Sequence, residues 1–194
     1  MSARVSLRSR VSSFSHFPLP GPYNQAVGEP LLRTAAVITV SDGCFQGTRE
    51  DGSGPLLTRL LNDSGFAVVF TVVVPDEIPA ISAELRISAE SASLVVTTGG
   101  TGLAPRDVTP EATLQVCTRT VPGLSEFMRL EGMKQTPMAS LSRGVCGTVG
   151  KTLILNLPGS PAGAVASLRT VLPLVPHALD LLAGKTEHAK PLES

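Results

Sequence analysis

Aromatic and metal-binding side chains are scarce in this 194-residue chain: no tryptophan, one tyrosine (Tyr23), three histidines and three cysteines. Each scarcity removes a class of function. Without a set of aromatic side chains there is no surface on which nucleic-acid bases would stack. His16, His177 and His188 are far apart in sequence and read as surface or packing residues, which disfavours a Ser-His-Asp hydrolase and a histidine-ligated metal enzyme. Cys44, Cys117 and Cys146 are odd in number, widely spaced and lack a C-x-x-C pair. They suit neither a disulfide framework nor a zinc site, and a reducing cytoplasm is the expected compartment. Sixteen basic residues balance sixteen acidic ones, so the basic excess of a nucleic-acid binder is missing. No uninterrupted apolar run approaches the roughly 18 residues that span a membrane.

What remains is 42% hydrophobic and only 16% charged, enough for one domain with a full core. Residues 1–33 differ from the rest: Arg4, Arg8 and Arg10 lie among serines, four prolines follow, and the first acidic residue is Glu29. This stretch reads as a disordered or leader tail. The domain is expected over residues 34–184, with a polar C-terminal tail over 185–194.

Apolar runs at Ala35–Val40, Phe66–Val74 and Ser93–Thr98 predict strands. Helices are expected after Ser53 as N-cap, with Leu56, Leu57, Leu60 and Leu61 as the apolar face, over Glu77–Ser91, and after Thr109 as cap, where Pro110 and Glu111 fit a first turn. Leu124, Phe127 and Met128 suggest another short helix. Val149-Gly150 reads as a hairpin turn between Gly144–Thr148 and Lys151–Leu155, and a long final helix should be broken at Pro173 and Pro176. Strands alternating with helices imply an α/β fold: three layers, a mostly parallel sheet with helices on both faces, and one antiparallel hairpin strand.

Three segments repeat one design of apolar strand, polar or glycine loop, and helix start. They are Val40-Ser41-Asp42 through Asp51-Gly52-Ser53-Gly54-Pro55, Thr98-Gly99-Gly100-Thr101-Gly102 through Asp107 to Pro110, and Asn156-Leu157-Pro158-Gly159-Ser160-Pro161. In a parallel sheet such loops meet at the carboxyl ends of the strands, where helix N-termini attract anions. Asp42, Asp51, Asp107 and Glu111 add carboxylates suited to Mg²⁺, which takes one or two of them together with phosphate and water. Two other phosphate motifs fail. Gly150-Lys151-Thr152 ends like a P-loop but has Val145 where the first glycine belongs and leads into a strand; Gly100-Thr101-Gly102 has Pro105 where a dinucleotide fingerprint needs its third glycine.

These strings, together with Leu141-Ser142-Arg143 and Gly150–Asn156, resemble the molybdopterin adenylyltransferases, which include the MogA and MoaB proteins and the gephyrin G domain. The resemblance covers about 35–182, and Leu141-Ser142-Arg143 and Gly150–Asn156 look most like the gephyrin G domain. It implies a molybdopterin-binding-like fold, a homotrimer, and a role in molybdenum cofactor biosynthesis with a molybdenum insertase as partner. The implied reaction takes molybdopterin and Mg·ATP to adenylylated molybdopterin and pyrophosphate. Carried over by motif, Asp51 and Asp107 would be the catalytic carboxylates and the metal ligands. Ser41, Asp42, Gly99, Gly100, Thr101, Gly102 and Glu111 would bind the nucleotide and its phosphates. Ser142, Arg143, Asn156, Pro158, Gly159 and Ser160 would hold the pterin. The chain departs from the pattern at Arg49, where many relatives carry an aromatic residue, and at Pro161-Ala162-Gly163, which lacks a lysine seen in some.

The chemistry suits the residues. A terminal phosphate monoester has a second pKa of about 6 and needs no strong base to attack. Charge neutralisation and alignment of two polyanions do most of the catalysis. Two other readings compete: a catalytically weak pterin-binding or scaffold module of the same fold, and a generic nucleotide-binding α/β protein. The partners expected on every reading are small molecules, with neither nucleic acid nor membrane.

Overall fold

Strand β1 (Arg33–Val40) alternates its side chains between two separate cores. Ala35 and Val37 point into one, Ala36 and Ile38 into the other, and all four are buried. This alternation fits a strand covered on both faces, whose sequence is a near-continuous apolar run. The computed structural model describes residues 33–185. The leader and tail expected over 1–33 and 185–194 therefore lie, apart from Arg33 and Lys185, outside the described residues.

Strands β2 (Phe66–Val74), β3 (Leu94–Thr98) and β6 (Thr152–Leu157) run parallel with β1 in a six-stranded sheet of order β2-β1-β3-β6-β5-β4. Strand β5 (Cys146–Val149) runs antiparallel to β6, and the short edge strand β4 (Arg119–Thr120) pairs with β5. The expected hairpin is present with its turn one residue later. Val149 pairs with Thr152, so Gly150-Lys151 makes the turn, with Gly150 at φ 55°.

Helices cover both faces. On one lie α2 (Gly54–Asp63), α5 (Pro122–Met133), α6 (Pro161–Val171) and α7 (Val175–Leu182), which bury Leu57, Leu61, Leu124, Met128, Ala164, Leu168, Val175 and Leu179. On the other lie α3 (Ile78–Ser91) and α4 (Thr109–Leu114), with Ile81, Leu85 and Ala112 inward. A four-residue turn of helix, α1 (Asp42–Phe45), follows β1 and has no counterpart in the sequence reading. Leu56, expected on the apolar face of α2, is 46% exposed, because Leu57 and Leu61 at four-residue spacing turn inward instead.

The final helix breaks as its prolines require, with a 3-10 turn at Leu172–Leu174 between α6 and α7. Pro161–Leu182 taken together is long and apolar enough to cross a membrane by length and composition. That corrects the sequence estimate, which missed it because Arg169 and the prolines interrupt the apolar run. In this fold Ala164, Leu168, Val171, Val175 and Leu179 pack into the core on the sheet, while Leu174 and Leu181 are exposed.

Candidate active site

The loops after β1, β3 and β6 meet at the carboxyl end of the parallel strands, and each contact between them has a visible cause. Gly99 adopts φ 102°, and a Cβ there would lie 2.2 Å from the Val40 carbonyl oxygen. Only glycine lets β3 end this close to the end of β1. Thr98 Oγ1 donates to the Pro158 carbonyl (2.7 Å), and a Cβ at Gly159 would lie 3.2 Å from Gly99 Cα. Thr109 Oγ1 donates to the Gly99 carbonyl at 2.9 Å. Thr109 is thus the clasp of the glycine loop rather than the helix cap expected of it; Val108 holds the cap position.

Between these loops lies a cleft of about 520 Å³, lined by Ser41, Asp51, Gly99, Gly100, Asp107, Gly159 and Ser160 among others. Residues expected in separate halves of the site therefore share one space. A larger groove of about 630 Å³ runs between α2 and the edge strand β2, but no residue of the Gly99–Gly102 loop lines it. The Gly99 N–H is used by the Leu157 carbonyl (3.2 Å). Among the described residues, the N–H groups of Gly100, Thr101 and Gly102 have no hydrogen-bond acceptor within the chain. Free N–H groups at a helix-start loop form an anion cradle.

The carboxylates divide into two kinds. Asp51 is fully engaged: one oxygen accepts from Thr39 Oγ1 at 2.6 Å, the other from the N–H groups of Ser53 (3.0 Å) and Gly54 (2.9 Å). It caps α2, the task the sequence assigns to Ser53, whose side chain makes no cap bond. Asp107 accepts from the Ala104 N–H through one oxygen (2.8 Å). Its other oxygen has no hydrogen bond among the described residues.

The sequence reading overlooks Asp76. It follows β2 and lines the cleft. Asp76 Oδ2 accepts from the Asp42 N–H (2.7 Å), while Asp42 Oδ1 accepts from the Asp76 N–H (3.0 Å). The remaining Asp76 oxygen would sit 3.2 Å from a Cβ at Gly100, so the carboxylate faces the glycine loop. Burial pushes the Asp76 carboxyl above its ordinary pKa, opposed by the Asp42 N–H bond. Asp42 is itself held below the ordinary value by a bidentate bond from Arg106 (2.8 and 2.9 Å). The signal for Asp76 was available: Val74-Pro75-Asp76 repeats the strand-then-acid order of Val40-Ser41-Asp42.

The sequence and the fold also match known proteins. Residues 36–177 match the family described as "Probable molybdopterin binding domain". The chain belongs to that molybdopterin-binding family. A molybdopterin adenylyltransferase of Helicobacter pylori is 40% identical over 152 residues, 76% of this chain and 86% of that one. The Drosophila melanogaster molybdenum cofactor synthesis protein cinnamon is 48% identical over 153 residues, 77% of this chain, which spans only 25% of that relative's length. The crystal structure of the molybdopterin biosynthesis enzyme MoaB from Thermus thermophilus superposes with a TM-score of 0.75 at 52% identity, covering 79% of this chain and 98% of that one.

Within this molybdopterin-binding fold, several expected site residues sit behind the cleft wall. Asn156 is 2% exposed and satisfied on every side: Nδ2 donates to Thr97 Oγ1 (3.0 Å) and Thr113 Oγ1 (2.9 Å), and Oδ1 accepts from the Val145 N–H (3.2 Å). Arg143 donates from Nε to the Gly102 carbonyl at 2.7 Å, and from its two terminal nitrogens to Glu111 and the Asp107 carbonyl. Its own N–H donates to the Thr101 carbonyl at 2.9 Å. Arg143 and Glu111 thus strap the glycine loop to α4, and this pairing lowers the Glu111 pKa. Ser142 accepts from the Gly144 N–H (3.3 Å) and lies on the same strap. Gly159 and Ser160 line the cleft, whereas Thr101, Gly102, Asp42 and Pro158 are next to lining residues in sequence but do not line it.

Proposed function

We propose that this chain is a molybdopterin adenylyltransferase, transferring AMP from ATP to the terminal phosphate of molybdopterin with release of pyrophosphate in molybdenum cofactor biosynthesis. The observation that carries the reading is the cleft itself. The unpaired N–H of Gly100 and two carboxylates with a free oxygen each meet there, in a family whose relatives bear that name.

In this reading the Gly100 N–H takes a phosphate oxygen and helps hold the reacting phosphorus against the incoming monoester. Backbone donors fixed by Gly99 and by the Arg143–Glu111 strap need no reorganisation as charge develops. The donor set fits Mg²⁺. Asp76 and Asp107 each offer an oxygen to the cleft, and one or two carboxylates plus substrate phosphates are what that ion takes. Among the described residues no group of three acidic, histidine or cysteine side chains is close enough to hold a metal without substrate oxygens. When bound, Mg²⁺ would neutralise polyphosphate charge. Asp76 and Asp107 would hold it; Asp51, with both oxygens committed to Thr39 and α2, positions the loop instead.

A homotrimer belongs to the same proposal. Leu130, Met133, Met138 and Leu141, on α5 and the 3-10 turn Pro137–Leu141 packed against it, are all exposed and apolar. Sedimentation of the purified chain checks the assembly.

The test of the reaction is pyrophosphate release that requires both ATP and molybdopterin. Asp76→Asn and Asp107→Asn should each lower turnover at least a hundredfold, roughly the scale for loss of one charge-stabilising group, while retaining the fold. Normal turnover by both variants would remove the carboxylates from the chemistry. Tight molybdopterin binding without turnover by the wild type would make this a binding module.

A further inference from the structure

The cleft is acidic for a site meant to take polyanions. Its lining carries the carboxylates of Glu50, Asp51, Asp76 and Asp107 against one basic side chain, Arg49. The neighbouring arginines are committed elsewhere. Arg143 is saturated by Gly102, Asp107 and Glu111; Arg106 grips Asp42; Arg129 donates to the carbonyls of Ser142 and Gly144.

Arg49 is different on each count. It is exposed to the cleft, and its guanidinium makes one hydrogen bond among the described residues, from Nη2 to Ser41 Oγ at 2.7 Å. No ion pair to Glu50 or Asp51 competes for it among the described residues. Its position is nonetheless fixed. The Arg49 N–H donates to the Gly43 carbonyl (3.0 Å), and a Cβ at Gly43 would lie 3.4 Å from Arg49 Cβ and 3.8 Å from its Nε. The side chain therefore lies along the backbone of α1. Ser41, which anchors the guanidinium, is 4% exposed and also accepts the Cys44 N–H (3.2 Å). A guanidinium held by one nitrogen keeps a planar fork of N–H donors free, which matches two oxygens of one phosphate.

We infer that Arg49 is the phosphate-receiving cation of this cleft and sets the affinity for one of its phosphate-bearing ligands. The identity of those ligands rests on the adenylyl-transfer reading; the phosphate chemistry does not.

The experiment compares the full chain with Arg49→Gln and Arg49→Lys, each first shown by thermal melting to fold. Inorganic triphosphate, Mg·ATP and molybdopterin are titrated separately by calorimetry. Arg49→Gln should weaken triphosphate binding about tenfold, the scale of one charge-assisted hydrogen bond, and Arg49→Lys should restore part of it. Weakened Mg·ATP with unchanged molybdopterin assigns Arg49 to the nucleotide's phosphates; the reverse assigns it to the pterin's phosphate. Equal affinities of wild type and Arg49→Gln for all three ligands overturn the inference, as does failure of the wild type to bind any of them. If the wild type shows no adenylyl transfer but Arg49→Gln still loses triphosphate, the reaction falls and the assignment of Arg49 stands.

Discussion

Replacing Asp51 with alanine separates a scaffolding carboxylate from a catalytic one. The substitution removes the acceptor for the Ser53 and Gly54 N–H groups and strands the hydroxyl of Thr39, a residue only 4% exposed. Losing a helix cap costs about 0.5–2 kcal/mol, and a buried hydroxyl without its partner about 1–3 kcal/mol more. The sum is roughly 1.5–5 kcal/mol. For a chain of this size each kcal/mol moves the melting temperature by about 2–4 °C, so a fall of about 3–20 °C is expected. Asp51→Asn keeps an acceptor for the α2 N–H groups and a donor toward Thr39, so it should lose less than half as much. Thermal and urea unfolding of both variants, alongside pyrophosphate release below the melting range, make the measurement. An Asp51→Ala protein that melts within about 1 °C of the wild type yet has lost turnover would refute the capping argument and return Asp51 to the chemistry.

Other outcomes follow from the same geometry. Asn156→Ala leaves the hydroxyls of Thr97 and Thr113 and the Val145 N–H without their partner, and should cost about 2–4 kcal/mol in urea unfolding, while molybdopterin affinity of the folded fraction stays within about twofold. Glu111 has a depressed pKa in the folded chain, so its pairing stabilises above the ordinary carboxylate value of 4.5 and is lost as pH falls through the folded value. Glu111→Gln should therefore flatten the decline in stability below pH 4.5, measured by urea unfolding across pH.

The sheet was readable because its inner strands are covered on both sides and even the edge strand β2 is a nearly continuous apolar run. Val37–Val40, Phe66–Val74 and Leu94–Val96 are apolar runs too short for helices and bounded by turn residues. The meeting of three loops followed from topology alone, since parallel strands bring their carboxyl ends together. Side-chain direction was not readable. Asp51 and Asp107 both follow glycine-rich strand ends, yet one turns back onto a helix terminus and the other leaves an oxygen for the cleft. Asn156 and Arg143 carry polar groups that suit a ligand, but neighbouring hydroxyls and carbonyls, distant in sequence, consume them first. Asp76 went unnoticed because no glycine marks its loop; its partner Asp42 is 34 residues away.

Thr98, Pro158, Gly99 and Gly159 make the two ligand-facing loops mechanically one piece. With Thr98 Oγ1 bonded to the Pro158 carbonyl, and Gly159 backed against Gly99, a ligand that shifts the β6 loop by an ångström must break that bond or carry the glycine loop along. On the adenylyl-transfer reading, a molecule seated on Gly159–Ser160 would thereby shift the loop awaiting the second one, 60 residues earlier in the chain. In that reading, occupancy of one subsite would be felt at the other through two glycines packed against each other.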